Sequence, residues 1–200
     1  MRACRPLLGT YVEIRIDDSD PETASVAVDA GFRAISEVQR LMSVFDENSD
    51  IGRINRLAHR EPVSIAPWTQ EILALAGDLH RASEGLFDCG IAPQLGSWGL
   101  MPDSGEAAPT SSIAHLAFTN DGCVTCSAPT HLDLGGIAKG FAVDRAAEGL
   151  IVGAIRGEFP DHGIVAEESG TRNERGRYRW YVDPLDGTTN FAHGLPFFTV

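Results

Sequence analysis

Residues 183–191 read DPLDGTTNF and hold the densest set of chemically useful groups in the chain. Asp183 and Asp186 stand three positions apart, and Pro184 and Gly187 force a turn, so both carboxylates can face one space. Hard oxygen ligands with open positions for water suit Mg²⁺. Gly187, Thr188 and Thr189 follow with backbone N–H groups where a phosphate can rest. Upstream, GIVA (163–166) leads into Glu167 and Glu168, and YRWYV (178–182) leads into Asp183. Two neighbouring strands of this kind present carboxylates at one rim. Such a site hydrolyses phosphate esters by activating a water and neutralising charge on the leaving oxygen. The same stretch also reads as an acidic surface turn, because Asp-Pro and Asp-Gly favour turns in any setting.

A second candidate lies in HLDLGGIAKGFAVDRAAEGL, residues 131–150. Gly135 and Gly136 at a turn into a helix let backbone N–H groups approach an anion. The helix N-terminus adds partial positive charge, and Lys139 adds a full one within the first turn. The spacing matches neither G-x-G-x-x-G nor G-x-x-x-x-G-K-[ST], so a plain tight turn and a phosphate cradle both fit. Cys123 and Cys126 form a C-x-x-C in an alternating, strand-like stretch, with no second pair or clustered His to complete a zinc site. They are expected as free thiols, and stoichiometric zinc in metal analysis would overturn this.

These groups need elements to position them. TYVEIRI (10–16) alternates with period two and predicts a half-buried strand. Ser19 and Asp20 offer a cap and Pro21 a first turn for a helix that buries Val28, Phe32, Ile35, Val38, Leu41 and Phe45. A second helix is predicted from Pro67, with Ile72, Leu75, Ala76 and Leu79 inward, ending before Gly85. Residues 100–112 read as a loop, and IAHLAFTNDGCVTCS as a hairpin. A short strand, the double glycine and a helix follow, then a helical stretch with Ile151, Ile155 and Phe159 one turn apart that Pro160 ends. The expected class is α+β: a mixed or antiparallel sheet with helices packed on it, then a small incomplete α/β segment.

The 200 residues carry 43% apolar content and a net charge of −12. That charge argues against a nucleic-acid or anionic-lipid partner, which requires clustered Lys and Arg. No apolar run approaches the roughly 18 residues that span a bilayer, and a cytoplasmic location is expected.

LLGTYVEI, LMSVFDENSDIGRIN, GLFDCGIAPQLGSWG and LDLGGIAKGFAVDRA occur in that order. Together they make residues 1 to about 149 resemble the N-terminal half of the FAD:protein FMN transferase family. The resemblance implies Mg²⁺-dependent transfer of FMN from FAD to a Thr or Ser hydroxyl of an acceptor protein. It implies flavin-nucleotide contacts at Met42, Leu86, Phe87, Asp88, Asp133 and Lys139, and a Mg²⁺ ligand in the carbonyl of Gly136. Met42 and Phe87 also read as ordinary core.

From about residue 150, the words EES, DPLDGTTNF and HGLPFF make the chain similar to an internal segment of the inositol monophosphatase family. This implies Mg²⁺ ligands at Glu167, Asp183, Asp186 and the Leu185 carbonyl. It implies a water held by Glu167 and Thr188, phosphate held by the N–H groups of Gly187 and Thr188, and a small phosphate ester as substrate. The division is then a flavin-transferase-like region at 1–149 and a phosphatase-like segment at 150–200, joined near residues 142–150, each lacking part of its family's length. The readings are a flavin transferase, a phosphomonoesterase, or a non-catalytic fusion whose unpaired sheet edges favour self-association.

Overall fold

The computed structural model describes residues 1–16, 20–99, 111–166 and 178–183. In chain order the elements are β1 (Arg2–Leu7), β2 (Thr10–Arg15), α1 (Pro21–Met42), α2 (Asp50–Leu57), β3 (Val63–Ser64), α3 (Pro67–Ala82) and α4 (Ala92–Ser97). A 3-10 turn at Ile113–His115 precedes β4 (Leu116–Phe118), β5 (Cys123–Cys126), α5 (Ala138–Glu158), β6 (Gly163–Ala166) and β7 (Arg179–Val182). The class is α+β, but the strands form three small sheets: an antiparallel β1–β2 pair, an antiparallel sheet in the order β3–β5–β4, and a parallel β6–β7 pair. Two compact units result, Met1–Ser36 with Gly140–Val200, and Glu37–Lys139.

In the first unit, β2 alternates as predicted, with Val12 and Ile14 half-buried between exposed neighbours. β1 was not predicted, because its residues show no period-two pattern. The two strands close on a two-residue loop, Leu8 and Gly9, both at positive φ, the conformation that matches the twist of a hairpin. Asp20 caps α1 by accepting from the Thr23 N–H at 3.0 Å, and Pro21 takes the first helical position. The Thr23 hydroxyl and N–H hold the Asp20 carboxyl below the usual carboxylate range. Ser19 lies outside the described residues. Val28, Phe32 and Ile35 are buried on α1 as expected. Arg5 ties the hairpin to this helix, pairing with Asp29 at 2.7 Å while its guanidinium lies 4.2 Å above the Phe32 ring.

The helix predicted after Gly136 and the helical stretch before Pro160 are one uninterrupted helix, α5. Its C-terminal half packs Val152 and Ile155 on Ile164, Ala166 and Val182 of the parallel pair. Ile151 and Phe159 are exposed. Phe159 stacks on His162 with ring centroids 4.8 Å apart, and the Trp180 indole N–H donates to His162 Nδ1 at 3.0 Å.

In the second unit, Ser49 caps α2 by accepting from the Gly52 N–H at 2.9 Å. The buried Asp50 carboxylate then reaches the start of α3, accepting from the Ala66 N–H at 2.8 Å and the Thr69 hydroxyl at 2.7 Å. That foreign carboxylate replaces the cap that Ala66 cannot supply. Two predicted inward residues of α3 are corrected: Leu75 and Leu79 are exposed, and Leu73 is buried beside Ile72 and Ala76. Phe45 is likewise exposed, because α1 stops at Met42 and the helical repeat cannot be extended past it. The predicted hairpin is β4–β5, whose Cys123 and Cys126, three apart on a strand, point to opposite faces.

Gly149 and Gly153 sit exposed on α5, with open space where a Cβ would go. Replacing either by Ala is expected to raise the unfolding free energy by about 0.5–1 kcal/mol, read from urea unfolding. A loss of stability in both variants would contradict the open faces described.

Candidate functional site

Among the described residues, the strand expected before the double glycine pairs with no other strand. Residues 131–134 belong to no helix or strand, and side chains hold the backbone groups that neighbouring strands would otherwise hold. The Asn55 amide accepts from the Leu132 N–H at 2.7 Å and donates to the Leu132 carbonyl at 2.9 Å. The Ser111 hydroxyl makes the equivalent pair with His131, at 2.8 and 3.1 Å. Leu132 and Leu134 are buried, and Asp133 alternates between them. Its N–H donates to the Cys89 carbonyl at 2.8 Å, which joins this segment to the one carrying Leu86, Phe87 and Asp88.

That second segment hangs on the end of α3. Glu84 and Gly85 adopt positive φ, and the N–H groups of Gly85 and Glu84 return to the carbonyls of His80 and Arg81 at 2.8 and 3.2 Å. The chain then turns outward, leaving Leu86 92% exposed and Phe87 and Asp88 half-buried. Asp88 accepts from the Gly90 N–H (2.7 Å), the Ile113 N–H (2.9 Å) and the Ser112 hydroxyl (2.6 Å). Gly90 is required there, because a Cβ would lie 2.6 Å from the Ser112 backbone.

The two segments meet at the start of α5. Asp133 Oδ1 accepts from the Gly135 N–H at 2.8 Å, and the exposed Lys139 ammonium donates to the Gly135 carbonyl at 3.1 Å. Gly136 is exposed, and a Cβ on it would meet nothing nearer than Cε2 of Phe87 at 3.9 Å. The fold thus brings Phe87, Asp133, Gly136 and Lys139 to one place, with Leu86 and Asp88 beside Phe87. Met42 ends α1 and is buried, the place of a core residue. Burial first, and then the carboxylates of Asp88 and Asp133, push the Cys89 thiol up to about 12. Asn55, Ser111, His80 and Gly90 were not singled out from the sequence, because their partners lie far along the chain or in backbone groups that carry no sequence signal.

In the first unit the parallel register pairs Ala166 with Val182, so β6 and β7 end at the same edge, where Asp183 follows. Burial raises the Asp144 carboxyl, the Arg145 charge opposes this, and Asp183 adds to it. Glu167, Leu185, Asp186, Gly187 and Thr188 lie outside the described residues. Among the described residues, no three His, Cys, Asp or Glu side chains converge as a metal site, and no helix is long and apolar enough to cross a membrane.

Two family models match the chain: the ApbE family over residues 8–157 and the inositol monophosphatase family over residues 141–200. Both include residues 141–157, within α5. The fold is that of the ApbE protein of Thermotoga maritima, at TM-score 0.66 and 22% identity, covering 76% of this chain and 52% of that one. The flavin transferase ApbE of Vibrio cholerae gives TM-score 0.62 and 22% identity, covering 76% and 53%. The chain therefore spans about half the length of these solved chains. Its C-terminal part is 54% identical over 61 residues to the Nus factor SuhB of Pseudomonas aeruginosa, covering 29% of this chain and 22% of that protein. It is 47% identical over 58 residues to a fructose-1,6-bisphosphatase/inositol-1-monophosphatase of Aquifex aeolicus, again 29% and 22%. The chain spans about a fifth of the length of these curated relatives.

Two measurements check the site. Asn55→Asp keeps the acceptor for the Leu132 N–H but sets an oxygen against the Leu132 carbonyl, and is expected to cost about 1–3 kcal/mol in denaturant unfolding. Unchanged stability would contradict the clamp. For Cys89, the folded chain holds its proton where the unfolded chain, with a thiol near 9.0, releases it. Stability from this group is full below about pH 9 and is lost as pH rises toward 12, and Cys89→Ala should flatten that decline. An equal decline in the variant would assign it elsewhere.

Proposed function

The chain belongs to the ApbE family, whose model matches three quarters of it, and on that premise we propose that its Phe87–Gly136–Lys139 site binds FAD for transfer of FMN to a protein Thr or Ser. In that reaction the acceptor hydroxyl oxygen bonds the phosphorus of the FMN half, the pyrophosphate bond breaks so that AMP leaves, and the hydroxyl proton passes to solvent. The observation that carries the reading is Gly136. It lies outside the positive-φ glycines, and no protein atom crowds its missing Cβ. Neither backbone conformation nor packing asks for glycine there; unlike the equally open glycines within α5, Gly136 stands just before the helix and beside Phe87, where a ligand approaching the backbone would meet it.

The roles follow from placement. Lys139, exposed in the first turn of α5, neutralises the pyrophosphate, aided by the positive end of the helix. The Phe87 ring, facing Gly136, and the exposed Leu86 offer apolar surface to the flavin. Met42, buried at the end of α1, is assigned a flavin contact by the family resemblance alone. Asp133 fixes the Gly135 N–H and so the course of the chain into Gly136. Mg²⁺ takes about six oxygen ligands, of which the Gly136 carbonyl would supply one, and the ion would neutralise charge on the pyrophosphate.

A second reading, a phosphomonoesterase segment, is favoured by the parallel register that ends β6 and β7 at one edge beside Asp183. In it Glu167, Asp183, Asp186 and the Leu185 carbonyl would hold Mg²⁺, Glu167 and Thr188 orient water, and Gly187 and Thr188 hold phosphate. In this reading residues 1–149 and 150–200 resemble two different enzyme families, and one helix runs through both resemblances. Phosphate release from inositol phosphates that survives Asp186→Asn would rule this reading out.

For the first reading, Gly136→Ala and Lys139→Ala should each weaken FAD binding about tenfold, roughly 1.4 kcal/mol, with the thermal melt unchanged. Binding as tight as in the parent chain in both variants would refute the assignment.

A further inference from the structure

We propose that the imidazole of His80 is the positioning group of the flavin-nucleotide site, holding the Phe87 segment at a fixed distance from Gly136 without touching the ligand. This rests on the reading of that site as FAD-binding. His80 lies in the last turn of α3, with its side chain 21% exposed. Its Nδ1 is 2.9 Å from the Phe87 carbonyl oxygen. A carbonyl only accepts, so Nδ1 carries the proton and donates. The same N–H lies 3.4 Å from Asp88 Oδ2, a carboxylate oxygen that favours that tautomer.

The other backbone group of Phe87 is held from the same helix end. Its N–H donates to the Ser83 hydroxyl at 2.9 Å, and that hydroxyl donates to the His80 carbonyl at 3.2 Å. Both polar groups of the Phe87 peptide backbone are therefore fixed by the end of α3, and the ring is left facing Gly136. Asp88 completes the arrangement. Three hydrogen bonds and the His80 contact occupy its carboxylate, so it acts on the site by holding Gly90, Ser112 and Ile113 in place. A ligand hydroxyl would have to displace one of these partners. In this assignment Asp88, like His80, is a positioning residue.

Side-chain geometry separates this role from simple packing. The Asn amide nitrogen sits close to where Nδ1 of His sits and can donate to the same carbonyl, whereas Leu fills similar space without a donor. The test is FAD titration and amide hydrogen exchange on the whole chain and on His80→Asn and His80→Leu. His80→Asn should keep affinity within about threefold, and His80→Leu should lose on the order of tenfold. Exchange at the Phe87, Gly90 and Ile113 amides should quicken in His80→Leu while the α2 amides keep their protection. Parent-like affinity in His80→Leu, or equal losses in both variants, would overturn the proposal. If the parent chain binds no FAD, the functional reading fails, and the exchange data alone decide whether His80 holds the segment: unchanged exchange in His80→Leu overturns that too.

Discussion

One side-chain amide stands where a β-strand would otherwise be needed. Asn55 on α2 satisfies both backbone groups of Leu132, 77 residues away in sequence, and so fixes a segment that belongs to no strand. Buried backbone groups must find partners, and without Asn55 this stretch would carry an unmet donor and acceptor beside a buried leucine. Its register then decides the rest. With Leu132 and Leu134 turned inward, Asp133 turns the other way, its N–H reaches Cys89, and the chain enters α5 with Gly135, Gly136 and Lys139 exposed.

The facing wall of the site obeys the same logic. The Leu86–Asp88 segment belongs to no helix or strand, and the end of α3 and the Asp88 carboxylate give it a defined position. Loops carry function well when a rigid scaffold sets their ends. Here α2 and α3 are that scaffold, and the buried Asp50 carboxylate ties one to the other.

The sequence made β2, α1, α3 and the β4–β5 hairpin legible, because each has a local signal: alternation, an Asp-Pro start, an apolar repeat or an Asn-Asp-Gly turn. It concealed β1, whose pairing rests on the Leu8–Gly9 loop, and α2, only eight residues long. It misplaced Phe45, Leu75 and Leu79, since a repeat tells which face is apolar but not where the helix stops or how far its stripe extends under its neighbours. Gly135, Gly136 and Lys139 were readable as candidates from type and spacing. Asn55, Ser111 and His80 were not, because their partners are distant backbone groups. The two family resemblances meet inside α5 without a break, which a helix permits: its hydrogen bonds are local, and Phe141, Ala142, Ala146, Val152 and Ile155 keep one buried stripe across the shared stretch.

If the Phe87–Gly136–Lys139 cluster receives a flavin nucleotide, as proposed, the isolated chain must bind FAD. The most direct measurement is titration of the purified chain with FAD, followed by flavin fluorescence with and without Mg²⁺. Saturable one-to-one binding with altered flavin emission, competed by AMP and by FMN, is the predicted result. No saturable binding up to about 1 mM FAD, a binding free energy weaker than about 4 kcal/mol, would contradict the account.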